Sequence, residues 1–207
     1  MGAGAGSFSA DHVGTTYEKI LPDFYLEGAV VTDDDVDVAR FSWSMIVEDA
    51  SPEFYRLKTR PKGFEYRTCK TWFFDQFSAL AAESGRVPPS PLSDATPRIK
   101  ESAINAMVDM LLSMFVDKTA EERLVALRDL AVVHSEARGV RCYQYSQVAE
   151  TYLKTMQKCL GSGYNDDIDA AWKRIFSATF KVLLPLAIEA DDDLARRTNP
   201  SETEIVV

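Results

Sequence analysis

Two histidines occur in the 207 residues, His12 and His134, and three cysteines, Cys69, Cys142 and Cys159. The cysteines are widely spaced and form no C-x-x-C pair, so no zinc-type thiolate site is spelled out and free thiols of a reducing compartment are expected. A histidine cluster or a catalytic triad has little to draw on. His134 stands on a row of apolar residues at helical spacing, Leu124, Leu127, Leu130 and Ala131, which turns its imidazole inward. A lone inward histidine has two readings, a core residue bonded to a carbonyl or a metal ligand, and the residue types leave both open. Met107 and Met110 pose a similar choice between an axial thioether and adaptable core filling, and filling is the plainer reading.

The elements that must position these side chains read as helices throughout. Thr32 before Asp33, Asp34 and Asp35 looks like a cap with an acidic first turn, and Val36, Ala39, Trp43, Ile46 and Val47 continue it as a helix over 33–49. Residues 51–65 are less regular: Ser51-Pro52 suits a short helix start, and Arg60-Pro61-Lys62-Gly63 suits a loop. A helix over 66–84 carries Trp72, Phe73, Phe77 and Leu80, and Gly85 to Leu92 with its three prolines breaks the chain. Thr96-Pro97 opens a helix to about 116 with Ala103, Met107, Met110, Leu111, Met114 and Phe115 on one face. Thr119 with Glu122 is a capping box, and Gly139 suits the stop of that helix. Two more helices follow, over 143–160 with Tyr145, Val148, Tyr152, Leu153 and Met156 inside, and over 166–189 with Ile168, Trp172, Ile175, Phe176 and Leu183 inside. Pro185 should kink the last or end it early.

The class is therefore all-α, and 46% apolar with 27% charged residues suits a single core. Residues 1–30 read as a partly disordered N-terminal extension, 31–189 as the domain and 190–207 as a polar C-terminal tail. A net charge of −9 disfavours nucleic acid and anionic membranes as partners. The apolar run near Phe180 to Ala187 is too short to span a bilayer. The N-terminus lacks the basic-then-apolar layout of a secretory signal, so a cytoplasmic location is expected.

The run Leu130-Ala-Val-Val-His134-Ser-Glu-Ala-Arg-Gly139-Val140, then Tyr145-Ser-Gln-Val148, Tyr152-Leu153, Lys158-Cys-Leu160-Gly161 and Ala170-Ala-Trp172 resembles the C-terminal half of globins. It corresponds there to the F helix with its proximal histidine, the turn after it, the G helix and the start of the H helix. The resemblance is most specific from Leu127 to Leu184. Upstream, Ser42-Trp43 is similar to the A helix, and Phe73-Phe74-Asp-Gln-Phe77-Ser-Ala-Leu80 to the aromatic B helix. Neuroglobin-like and bacterial single-domain globins are more similar than myoglobin.

The resemblance implies a globin fold of about six to eight helices around a haem pocket, with haem b as cofactor and His134 as the ligand of its iron. The pocket would be lined by Phe73, Phe77, Ala103, Met107, Leu127, Leu130, Val140, Tyr145 and Val148. Burial would keep His134 neutral, the form that coordinates. The distal side departs from the family. Counting back from His134 reaches Ser102, Ala103, Ile104 or Asn105, with Ala103 favoured by helix phase, and His12, in the flexible glycine-rich start, is disfavoured as a second histidine ligand. The corner phenylalanine that packs on haem is replaced by Val87. Without a distal donor, bound dioxygen would lose a hydrogen bond of about 1.5–3 kcal/mol, a factor of about ten to a hundred in affinity.

The implied function is binding of a diatomic gas, dioxygen or nitric oxide, for carriage, sensing or redox response. Two alternatives accompany it. One is a haem enzyme that oxidises nitric oxide to nitrate or reduces nitrite or peroxide. Since 207 residues leave no room for flavin and nicotinamide modules, a separate reductase would supply its electrons. The other is a haem-free globin-fold signalling module. The terminal Glu204-Ile-Val-Val207 is weakly suited to adding to a sheet edge.

Overall fold

The computed structural model describes residues 17–59, 63–83 and 97–198. The expectations for the N-terminal glycine-rich start, His12, Arg60-Pro61-Lys62, Val87, the proline-rich break, Thr96 and the C-terminal Glu204–Val207 lie outside these residues.

Among the described residues the regular elements are all helical. A single turn at residues 17–20 precedes α1 (Asp33–Val47), α2 (Pro52–Lys58), α3 (Cys69–Glu83), α4 (Pro97–Val116), α5 (Ala120–Arg138), α6 (Cys142–Leu160) and α7 (Asp166–Thr198), with a short 3-10 turn at Gly161–Gly163. The starts follow local chemistry. At α1 the Thr32 hydroxyl accepts the Asp35 amide while Asp35 accepts the Thr32 amide, the reciprocal box that satisfies two otherwise unpaired donors. Ser51 caps α2 by accepting the Phe54 amide, with Pro52 at the first helical position. Helix α3 takes an acceptor from a distance. Asp49 sits at φ 59°, a conformation that aspartate tolerates better than most residues, and its carboxylate accepts the Cys69 amide at 2.5 Å.

Helix α7 is the spine, and α1, α5 and α6 all pack along it, while α3 crosses α6 and α4 meets α1, α3 and α7. The centre of the core is aromatic. Tyr152, fully buried, lies 4.9 Å from the Trp172 ring, 5.8 Å from Phe73 and 6.1 Å from Trp43, in edge-on or tilted pairs that favour the ring quadrupoles. Trp172 Nε1–H donates to Ser42 Oγ at 2.9 Å, so the buried indole keeps a partner. The Asp35 carboxylate, 5% exposed, accepts from the Arg174 guanidinium and locks the start of α1 to α7. The segment before α1 straps the outside of this core, with Leu26 N–H donating to Ser177 Oγ at 3.0 Å and Ser146 Oγ donating to the Ile20 carbonyl.

Three sequence expectations change. Helix α7 does not stop near residue 189; it continues through Pro185 to Thr198, about 50 Å in all. The lost donor at Pro185 is outweighed because both sides of it are anchored, Leu183, Leu184, Ala187 and Ile188 in apolar burial and Asp191 in the polar contacts described below. On α4 the buried residues include Ile104, Val108, Leu111, Leu112 and Met114, so of the expected face Leu111 and Met114 are buried while Ala103, Met107, Met110 and Phe115 are only half-buried beside them. Leu124, expected on the inner row of α5, is 41% exposed; the buried line there is Leu127, Ala131 and Ser135, because that line faces α7.

Candidate functional site

His134 sits in the last turn of α5, and local signals hold that turn. Thr119 and Glu122 form the box at its start. At its end Gly139 adopts φ 61°, the left-handed region that glycine enters without a Cβ penalty. The His134 carbonyl accepts the amides of both Gly139 and Val140, so the backbone under the imidazole is fixed. The chain then reverses within a few residues into α6 and brings Tyr145 back against the ring.

His134 Nδ1 and Tyr145 Oη are 3.0 Å apart, and the two rings lie 21° from parallel with centroids 5.6 Å apart. Arg138, one turn on along the same helix, places its guanidinium 3.4 Å from Nε2. Arginine carries donors only. The nitrogen facing it is therefore the one with the free lone pair, and Nδ1 carries the proton and donates to Tyr145. Burial pushes the imidazole pKa down from 6.5 to about 4, and the positive charge of Arg138 adds to the shift. His134 is neutral near pH 7. Burial also raises the Tyr145 phenol, reinforced by the negative charge of Asp191, so Tyr145 keeps its proton.

The residues expected around His134 divide into groups. Leu130 lies one turn before it on the same helix line and is half-buried. Val140 is half-buried in the corner, and Val148 is half-buried about one turn beyond Tyr145. Leu127 is buried instead on the neighbouring line with Ala131 and Ser135, whose Ser135 hydroxyl reaches Asp191 of α7 at 2.7 Å. Phe73 is fully buried in the aromatic core against Trp43, Phe74 and Tyr152, and Phe77, about one turn on, is half-buried at its margin. Ala103 and Met107 stay half-buried on α4.

Sequence reasoning missed Arg138 and Asp191. The first was legible, since a residue four positions after His134 shares its helix line. The second was hidden, because no local pattern ties residue 191 to residue 135. A surface depression of about 410 Å³ along the start of α5, lined by Lys118, Glu121, Glu122, Val125, Ala126 and Asp129, includes none of the residues around His134, and its charged rim suits solvent better than an apolar cofactor.

Among the described residues no group of three or more His, Cys, Asp and Glu side chains is placed to hold a metal ion. With Nδ1–H anchored on Tyr145, Nε2 is the one ring nitrogen of His134 able to accept or to coordinate. No helix of the described residues is long and apolar enough to cross a membrane.

Searches of curated proteins and of solved structures returned no match. A family model does match: the globin model aligns with residues 94–183, the stretch that contains α4, α5 and α6, the corner between the last two and the first half of α7. The segment of the chain that carries His134 is thus similar to globins.

Proposed function

We propose that the protein binds haem b through His134 and uses the iron to bind a diatomic gas, dioxygen or nitric oxide, for carriage, sensing or redox response. The observation that carries this reading is the state of the imidazole: neutral, its Nδ1–H engaged by Tyr145, its Nε2 lone pair unprotonated and facing the exposed Arg138 guanidinium. Iron coordination needs that lone pair, and an anchored Nδ1–H fixes both tautomer and ring plane. The half-buried residues Leu130, Val140, Tyr145, Val148, Phe77, Ala103 and Met107 are the ones that would adjoin the macrocycle; Phe73 and Leu127 would support it from the core. When bound, the iron supplies the ligand-binding and redox chemistry.

The chain's own contribution is to hold His134 neutral and oriented and to surround the iron with apolar side chains. Ala103 and Met107 offer no hydrogen bond to a bound gas. Fast release of dioxygen follows from that.

The Arg138 contact to Nε2 favours one competing reading, a globin fold used without haem as a signalling module. A hemin titration separates the two. The haem reading expects a Soret band in the wild type that is displaced or lost in His134→Ala, and an unchanged spectrum in that variant refutes it.

A further inference from the structure

Helix α6 begins without a capping acceptor on its own cap residue. Arg141 occupies the cap position with an extended backbone and makes no side-chain cap bond, since a guanidinium has only donors to offer. Its own amide is taken by Gln144 Oε1 at 2.7 Å. The Cys142 amide, the first of the helix, donates at 2.8 Å to Asp191 Oδ2, a carboxylate delivered by α7 from far along the chain. The other oxygen of the same group accepts from Ser135 Oγ at 2.7 Å and from the Arg141 guanidinium at 3.3 Å. Asp191 therefore binds the residue directly after His134 and, through the start of α6, the turn that carries Tyr145. Its negative charge also lies at the positive end of the α6 dipole.

We propose that Asp191 is a positioning residue for His134: by capping α6 from a distance and bonding Ser135, it holds the two helix ends in the register at which Tyr145 Oη meets Nδ1. The inference rests on the reading of His134 as the haem ligand, because the orientation of a ligand ring is what the contact controls. It also explains why α7 runs past Pro185. The extension brings Asp191 over the α5–α6 corner, and Arg197 adds an outer tie to Glu136 at 2.6 Å.

The test uses the full chain without haem. Asp191→Ala is expected to speed hydrogen exchange of the Cys142 amide about fivefold, the effect of losing one helix cap. It should also turn the nitrogen-15 signals of the His134 ring from those of a single Nδ1–H tautomer to those of a mixture. Arg197→Ala, which cuts the outer tie to Glu136 and a bond to the Asp193 carbonyl within α7, should leave the ring signals as in the wild type. A purely structural staple would lower the melting temperature in both variants without changing the tautomer, and that outcome overturns the proposal. If Asp191→Ala does not fold, Asp191→Asn, which keeps the shape and removes the charge, is read in its place, and unchanged ring signals again overturn it. Hemin titration of the wild type reports separately on the haem reading: a missing Soret band removes that reading, while the ring signals still decide what Asp191 does.

Discussion

Acidification of the ligand-free protein provides the sharpest quantitative test of the His134 environment. In the folded chain burial and Arg138 hold the imidazole at about 4, against 6.5 for an unconstrained histidine. A base whose pKa is lowered by folding is protonated first in the unfolded state. The stability that His134 contributes is thus fully present above about pH 6.5 and is lost as the pH falls toward 4, where both states are protonated. From those two values the loss is between about 1 and 2 kcal/mol at pH 5.5 and between about 2 and 3 kcal/mol at pH 4.5, and partial exposure of the ring makes both figures ceilings. The assay is urea unfolding, followed by far-ultraviolet circular dichroism from neutral pH to about pH 4.5, for the wild type and His134→Gln. Every other ionisable group is common to the two proteins, so subtracting one stability curve from the other isolates His134. The difference should tilt steadily across this window in the direction of a wild type that weakens faster in acid. A flat difference would show that the ring is as freely protonated in the fold as in the unfolded chain, and the neutral, burial-depressed imidazole would have to be abandoned.

Two further outcomes follow from the framework around the site. Gly139→Ala meets no neighbouring atom within 4 Å but must adopt φ 61°, so it should cost about 1 kcal/mol through backbone strain alone; thermal melting at neutral pH reads it, and an unchanged midpoint would contradict the left-handed stop. At Asp35, burial opposes the charge, yet the bonds from Arg174 and Thr32 outweigh it and the carboxyl ends below its usual range. Its stabilising effect is therefore present above the usual carboxylate pKa and fades as the pH falls through the depressed one. Asp35→Ala should cost more than a lost cap, about 2 kcal/mol, with part of that recovered when Arg174→Ala removes the stranded partner; additive losses in the double variant would dissolve the proposed coupling.

Much of the helical layout was legible because its determinants are local. Thr32 with Asp35, Thr119 with Glu122, and Gly139 each satisfy or release backbone groups within one turn, so their positions follow from nearest neighbours. The buried rows of α6 and α7, Tyr152 and Met156 or Trp172 and Phe176, were equally readable, since each helix is packed on a broad face. Helix phase was less so. On α4 and α5 the apolar residues cover more than one face, and which line is buried depends on the direction from which α7 and the core approach; this is why Leu124 lies open while Ser135 is buried, and why Ala103 and Met107 flank the core line rather than form it.

At the site the division is the same. The residues of one helix turn and its stop established by themselves that His134 would be held in a firm, inward-leaning position before a sharp corner, and the globin resemblance of that run could be read from the chain alone. Only the tertiary structure decided what each ring nitrogen meets, that Phe73 belongs to the aromatic core, and that a carboxylate from the far end of α7 caps α6. The reason is physical: caps and apolar spacing act over a few residues of backbone, whereas Tyr145 and Asp191 reach the His134 corner only after the corner has folded and α7 has packed along α5, and no pattern along the chain encodes an encounter between segments some fifty residues apart.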